Sequence, residues 1–218
     1  MTKTTRAQRR TRHDLRTELL ESALHEFAAK GFDGASTRAI AQRADAHQPQ
    51  INYHFESKEA LWAAAVDRLF GELAEALAPI PIATDDAPAL AADFAASIRR
   101  FVRFAARRPE LNRIIVHEAM AGSERLQWMV DRHVRPLHDG TIAIWNQLVD
   151  ADIAAPIDSA AIHYVLVGAA SLPFVNAREL RMLSDVEPTD TGFVEAHADG
   201  IVAMLLPGLE REPPPTRG

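Results

Sequence analysis

Apolar residues recur along the chain at three- and four-residue spacing, and no long segment alternates apolar with polar positions, so the sequence predicts an all-α fold of about nine helices. The first helix is the clearest. Leu19, Leu20, Ala23, Leu24, Phe27 and Ala28 fall on one face over about 14–30, and Gly31 supplies a stop. Ser36 and Thr37 then open a short helix, roughly 37–44, with Ile40, Ala41 and Ala44 facing inward. Asp45, a residue type that tolerates left-handed backbone, marks a tight turn. A second short helix follows from about Gln48 to Phe55, anchored by Ile51 and Phe55. Ser57 caps a longer helix whose Trp62, Val66, Leu69, Leu73 and Leu77 form a stripe, and this helix connects the N-terminal unit to the rest.

Further amphipathic segments carry Leu90 to Phe104, Leu111 to Ile115, Leu126 to Leu148, Ile162 to Ala169 and Val194 to Leu205. Prolines mark the joints, while Pro136 and Pro173 lie inside helical patterns and point to kinks or helix starts. The chain divides into a flexible basic arm (1–13), an N-terminal three-helix unit (14–57), a body of helices (58–208) and a flexible tail (209–218).

Composition supports this picture, with alanine outnumbering valine 39 to 12. The absence of cysteine excludes disulfide scaffolds, thiolate metal sites and cysteine nucleophiles. The basic polar start lacks the apolar core of a secretory signal. The longest apolar run, Ala160 to Val175, is interrupted by His163, Ser171 and Pro173 and is shorter than the ~20 residues a membrane span needs. A soluble cytoplasmic protein without membrane association is expected. The net charge of -6 conceals an asymmetry. Lys3, Arg6, Arg9, Arg10, Arg12 and Arg16 stand against Asp14 alone at the start, whereas the body is acidic. A basic beginning ahead of an acidic body suits an N-terminal unit that faces a polyanion, although a merely solvated charged tail has the same composition.

Two short helices around a tight turn, packed on a longer first helix, are what a helix-turn-helix reader of double-stranded DNA requires. Amides such as Gln48, Gln50 and Asn52 suit adenine, and an arginine can fork onto guanine, because each presents two hydrogen-bonding atoms to a base edge. Hydroxyls and lysines hold phosphates and fix the register. The plainer alternative for the amides is a polar surface helix. The arm, with Arg6, Arg9, Arg10 and Arg12, has the charge to reach a minor groove.

The stretch Ala35-Ser36-Thr37-Arg38-Ala39-Ile40-Ala41, with Ala44-Asp45-Ala46 and then Ile51-Asn52-Tyr53-His54-Phe55-Glu56-Ser57-Lys58-Glu59-Ala60-Leu61, resembles the DNA-binding region of the TetR family of transcriptional regulators. The resemblance covers about 16–62. It implies a homodimeric repressor that leaves a palindromic operator when its C-terminal region binds a small molecule. Position by position, it gives Ser36 and Thr37 the start of the second helix with its phosphate contact, Arg38 a guanine contact, and Tyr53 and Lys58 backbone contacts. Gln48-Pro49 resembles a Gln-Pro pair of the family's recognition helix, and Gln50, Asn52 and His54 lie where other base or phosphate contacts occur. Two residues depart from the pattern: Asp45 stands where a turn glycine is usual, and His47 replaces a small capping residue.

A weaker likeness over residues 109–206 implies that the helices near 158–176 and 190–206 pair with their copies in a dimer, through Ile162, Val165, Leu166, Ala169, His197, Ile201 and Leu205. Phe101, Phe104, His117, Met120, Trp128, Met129 and Tyr164 are candidate walls of a pocket for a lipophilic effector, with an ordinary core as the alternative. No metal or other cofactor is expected, since His117-Glu118 lacks a second histidine at 121, where the residue is Ala121. No catalytic fingerprint is present either. Two other readings remain open on sequence alone: a helical small-molecule-binding protein or enzyme with a non-functional helix-turn-helix, and a DNA binder indifferent to sequence.

Overall fold

The computed structural model describes residues 12–80 and 86–209. Among these residues all regular secondary structure is helical. The elements are α1 (Arg12–Gly34), α2 (Thr37–Arg43), α3 (Gln48–His54), α4 (Lys58–Leu77), α5 (Ala87–Arg107), α6 (Glu110–Ala121) and α7 (Glu124–Met129). A π-helical turn (Val130–Val134) leads into α8 (Arg135–Asp150), followed by α9 (Ser159–Val175), α10 (Ala177–Leu183) and α11 (Thr191–Leu205). No single helix among the described residues is long and apolar enough to cross a membrane.

The expected count of about nine falls short at two places, and proline chemistry accounts for one of them. Pro136 has no N–H for the carbonyl of Arg132, and its ring crowds that carbonyl. The helix widens just before it: the Arg135 N–H reaches back to the Val130 carbonyl, and what read as one helix is divided into α7 and α8. The other difference is α10, a short helix bent 73° away from α9 at Asn176.

Side-chain caps set most of the helix starts. Ser36 accepts from the Ala39 N–H, Ser57 from Ala60, Asp86 from Ala89 and Asp190 from Phe193. Ser36, and not Thr37, is therefore the cap of α2. Gly31 breaks α1 as expected, at φ 68°.

Two apolar cores organise the chain. The first joins α1 to α4 through Leu19, Leu24, Phe27, Ile40, Ile51, Trp62 and Leu69, and it also takes in Phe104, Leu111, Ile114 and Met129 from further along. The second joins α5, α8, α9 and α11 around Phe94, Trp145, Ile162, Ala198 and Leu205. Partly buried Phe101 packs against both.

Pro173 has a second consequence. Its missing N–H leaves the Ala169 carbonyl of α9 without a helical donor. Nε2 of His197 on α11 bonds that carbonyl at 2.9 Å, which places the imidazole proton on Nε2.

Candidate nucleic-acid interface and internal cavity

The turn between α2 and α3 is built from one left-handed residue, Asp45 at φ 48°, and closed by the Ala46 N–H donating to the Ala41 carbonyl at 2.9 Å. Below it, Ile40, Ile51 and Phe55 are buried. Above it, Nε2 of Gln48 donates to Oγ1 of Thr37 at 3.3 Å, so the first residues of α2 and α3 stand side by side. Gln48, Pro49, Asn52 and Tyr53 are exposed on α3, and their spacing places Pro49, Asn52 and Tyr53 on one face. Tyr53 is 67% exposed, unusual for a tyrosine with no apolar cover, and His54 stands edge-on to it at 5.3 Å. Arg38 is exposed at the start of α2, with Arg43 exposed at its end. A shallow depression beside the turn is edged by Arg38, Gln42, Asp45, His47 and Gln48.

Two residues sit differently from a simple reader. Gln50 folds back, its Oε1 accepting from the His47 N–H at 2.8 Å, and supplies part of the cap that His47 replaces. The Lys58 ammonium lies over the Phe32 ring at 4.7 Å, withdrawn from the exposed face. Arg6, Arg9 and Arg10 lie outside the described residues, as does the side chain of Arg12.

The start of α2 is tied to α1 by a hydrogen bond to a carboxylate that is itself held by an ion pair within α1. Glu26, buried on α1, accepts from Lys30 at 2.7 Å and from the Ser36 N–H at 3.3 Å. The lysine bond holds the Glu26 carboxyl below its usual range.

Between α4, α5, α6, α8 and α9 lies a cavity of about 320 Å³. Its walls are mainly aromatic and aliphatic, with Phe70, Leu73, Phe94, Ile98, Phe101 and Phe104 prominent. Of the expected wall residues, Phe101, Phe104 and Tyr164 line it. The others lie elsewhere. His117 packs on the Gly31 break, its Nδ1 3.2 Å from where a Cβ would sit. Met120 is 83% exposed. Trp128 tilts against Trp62 with ring centroids 5.5 Å apart, and Met129 is fully buried in the first core. Helical periodicity reports that such residues face inward without reporting which neighbour they meet. The α4 contribution of Phe70, Leu73 and Leu77 was not expected, although Leu73 and Leu77 already belonged to that helix's apolar stripe.

A few polar groups break the apolar lining: Arg108, Ser97, Asn112, Thr141, His163 and Ser171. Burial, with a smaller contribution from His138, holds the His163 imidazole below the usual histidine range, so its neutral form prevails near pH 7. Arg108, at the joint of α5 and α6, is bonded to Glu21 of α1 and Glu72 of α4, and the Glu21 bond is the main cause of its raised pKa. Arg108 in turn lowers that of Glu21. Among the described residues, no group of three or more histidines and carboxylates is placed to hold a metal ion.

The residues assigned to the dimer contact divide. Ile162, Leu166, Ile201 and Leu205 are buried within the protomer's own second core, and His197 is used by the Ala169 carbonyl. Val165 and Ala169 are half-buried. The stripes left open are one position round each helix: Ala161, Val165, Gly168 and Leu172 on α9, and Ala196, Gly200, Ala203 and Met204 on α11. Ile162, Leu166, Ile201 and Leu205 thus face the protomer's own core, whereas Val165 lies on the open stripe of α9.

Residues 19–65 match the family model described as bacterial regulatory proteins, tetR family. Over nearly the whole chain the protein is similar to the HTH-type transcriptional regulator RutR of Escherichia coli K12, with 24% identity over 95% of this chain and 96% of that protein. It is also similar to the HTH-type transcriptional repressor NicS of Pseudomonas putida KT2440, with 24% identity over 90% of this chain and 92% of the relative. Among solved structures, AibR in complex with isovaleryl coenzyme A and operator DNA shares the fold at a TM-score of 0.69, with 20% identity over 88% of this chain and 98% of that one.

Proposed function

From the premise that the chain belongs to the TetR family of helix-turn-helix transcriptional regulators, we propose that it is a dimeric repressor whose operator affinity is lowered by a small lipophilic molecule bound in the cavity. One observation carries this reading. A single helix, α4, begins at the Ser57 cap directly after the reader and ends in the cavity wall, where Phe70, Leu73 and Leu77 stand. A molecule that enlarges the cavity moves the end of α4 and, through it, the angle of α3.

Two copies joined through the open stripes of α9 and α11 would hold two α3 helices at a fixed separation, matching half-sites about one helical turn, ~34 Å, apart or the family's longer spacing. Gly168 and Gly200 have open space where a Cβ would stand, which favours close helix approach. Base contacts come from Arg38, Gln48 and Asn52, and phosphate contacts from Thr37, Tyr53 and the basic start of the chain. Coupling of this kind is typically ~1 to 3 kcal/mol, so the molecule shifts a population of DNA-competent dimers.

The test is sequencing of genomic DNA fragments retained by the purified protein at near-physiological salt. Enrichment of one or a few near-palindromic sites, bound at least ~1,000-fold above random DNA, supports a sequence-specific repressor. Retention without enrichment overturns it in favour of a binder indifferent to sequence. Gly200→Arg is expected to give monomers by sedimentation and to lose the site.

A further inference from the structure

We propose that the cavity selects an uncharged, mainly apolar molecule carrying one hydrogen-bonding end, such as an alcohol, ketone or amide, and discriminates against a carboxylate of the same size. The proposal rests on the reading of this cavity as the effector site.

The first ground is the state of the one fully charged side chain on its wall. Arg108 donates from Nε and Nη2 to Glu72 at 2.8 and 3.0 Å, and from Nη1 and Nη2 to Glu21, both at 2.9 Å. Arg68 closes the ring, with Nη2 to Glu21 at 2.6 Å and Nε to Glu72 at 3.0 Å. Two arginines and two glutamates sum to zero charge. Neither glutamate lines the cavity, so the guanidinium is engaged from the side of α1 and α4. An anion that sought Arg108 would have to displace carboxylates already seated in paired, charge-assisted bonds. Breaking such a pair leaves a partly buried charge uncompensated, which is costly.

The second ground is what remains. His163 is half-buried, with its neighbouring ring, His138, engaged by Asp139 at 2.9 Å, and burial favours its neutral form. The Thr141 and Ser171 hydroxyls donate to the carbonyls of Leu137 and Val167, leaving only acceptor capacity. Ser97 and Asn112 line the cavity and take part in no described hydrogen bond. Such a set satisfies one neutral polar end and offers an anion no counter-charge, so a buried carboxylate would be desolvated without a charged partner.

The experiment compares decan-1-ol with decanoate at pH 8, below the micellar range, on the full-length protein, reading tryptophan fluorescence and thermal unfolding. The alcohol is expected to bind at least about tenfold more tightly. Glu72→Gln, which leaves a net positive charge in the ring, is expected to narrow that ratio. Ser97→Phe, which fills the cavity from its wall, is expected to abolish binding while cooperative unfolding persists. Decanoate binding as well as decanol, or a ratio unmoved by Glu72→Gln, overturns the charge selectivity and leaves the cavity reading standing. Absence of binding by either probe, or decanol binding that survives in folded Ser97→Phe, overturns the cavity reading and the selectivity with it.

Discussion

The N-terminal unit and the body use the same apolar residue types for different ends. In α1 to α3, inward residues meet one another. Ile40, Ile51 and Phe27 are each at most 1% exposed, and the polar residues left over form one face. In the body, Phe70, Phe101 and Phe104 also point inward, yet they surround empty volume. A closed core holds a fixed shape to present to a rigid polyanion. A hollow one leaves dispersion contacts unmade until a molecule supplies them. The contrast fits the proposed division of labour, shape reading at one end of the chain and adaptability at the other.

The largest effect that sharpens this comparison is on stability. Ile40→Ala is expected to cost about 3 kcal/mol in urea unfolding, by lost burial and a new cavity. Phe101→Ala, on a wall that already faces a void, is expected to cost about 1 kcal/mol less than that, because a fully packed contact set is not being removed. Equal losses would break the distinction.

On the reading face, Gln48→Ala is expected to lower operator affinity by about 1 to 3 kcal/mol and to relax preference at one base position, measured by anisotropy on a panel of operator variants. Thr37→Ala is expected to weaken all sequences alike, while Lys58→Ala, whose ammonium rests over the Phe32 ring, is expected to leave the salt slope nearly unchanged. No cavity-wall substitution should change base preference. Gln50→Ala is expected to act chiefly through loss of the α3 cap, at about 1 kcal/mol of stability.

In the body, His197→Leu is expected to cost about 1 kcal/mol or more by stripping the Ala169 carbonyl of its donor. In a Pro173→Ala background the restored N–H takes that carbonyl, so the same substitution should cost less. A double-mutant cycle with no coupling would refute the link.

The smallest effect is with pH. His133, stacked on Phe70 and bonded to Asp67 at 2.8 Å, and His163 both titrate below the ordinary 6.5, chiefly through burial. The unfolded chain then binds protons that the folded one does not, so stability falls as pH drops below about 6.5. Glu21 and Glu26, held below their ordinary 4.5, add a further loss on acidification through their folded values. Thermal midpoints between pH 8 and 5 are expected to decline, and the decline should be shallower in His163→Phe.

Much of the geometry of the α2–α3 unit was legible because its signals are local. Ser36, Asp45 and Ser57 each fix backbone within a few residues, and Ile51 with Phe55 fixes which side of α3 is inward. The cavity was not, because it depends on how helices distant in sequence meet. Trp128 and Phe101 have equal claims on paper, but one finds Trp62 and the other finds space. The π-turn was hinted at by Pro136, and the partnership of His197 with Ala169 by Pro173, yet a proline reveals only the bond it removes and not the group that replaces it.

The first core also bears on how the chain is made. Phe104, Leu111, Ile114 and Met129 complete a surface begun at Leu19, and Arg108 completes an ionic ring begun at Glu21. A ribosome must therefore synthesise some fifty residues beyond α4, up to Met129, before α1 has its full set of neighbours. The reader is not released early as a finished module. A nascent chain interrupted before α6 would emerge with an apolar flank on α1 still uncovered.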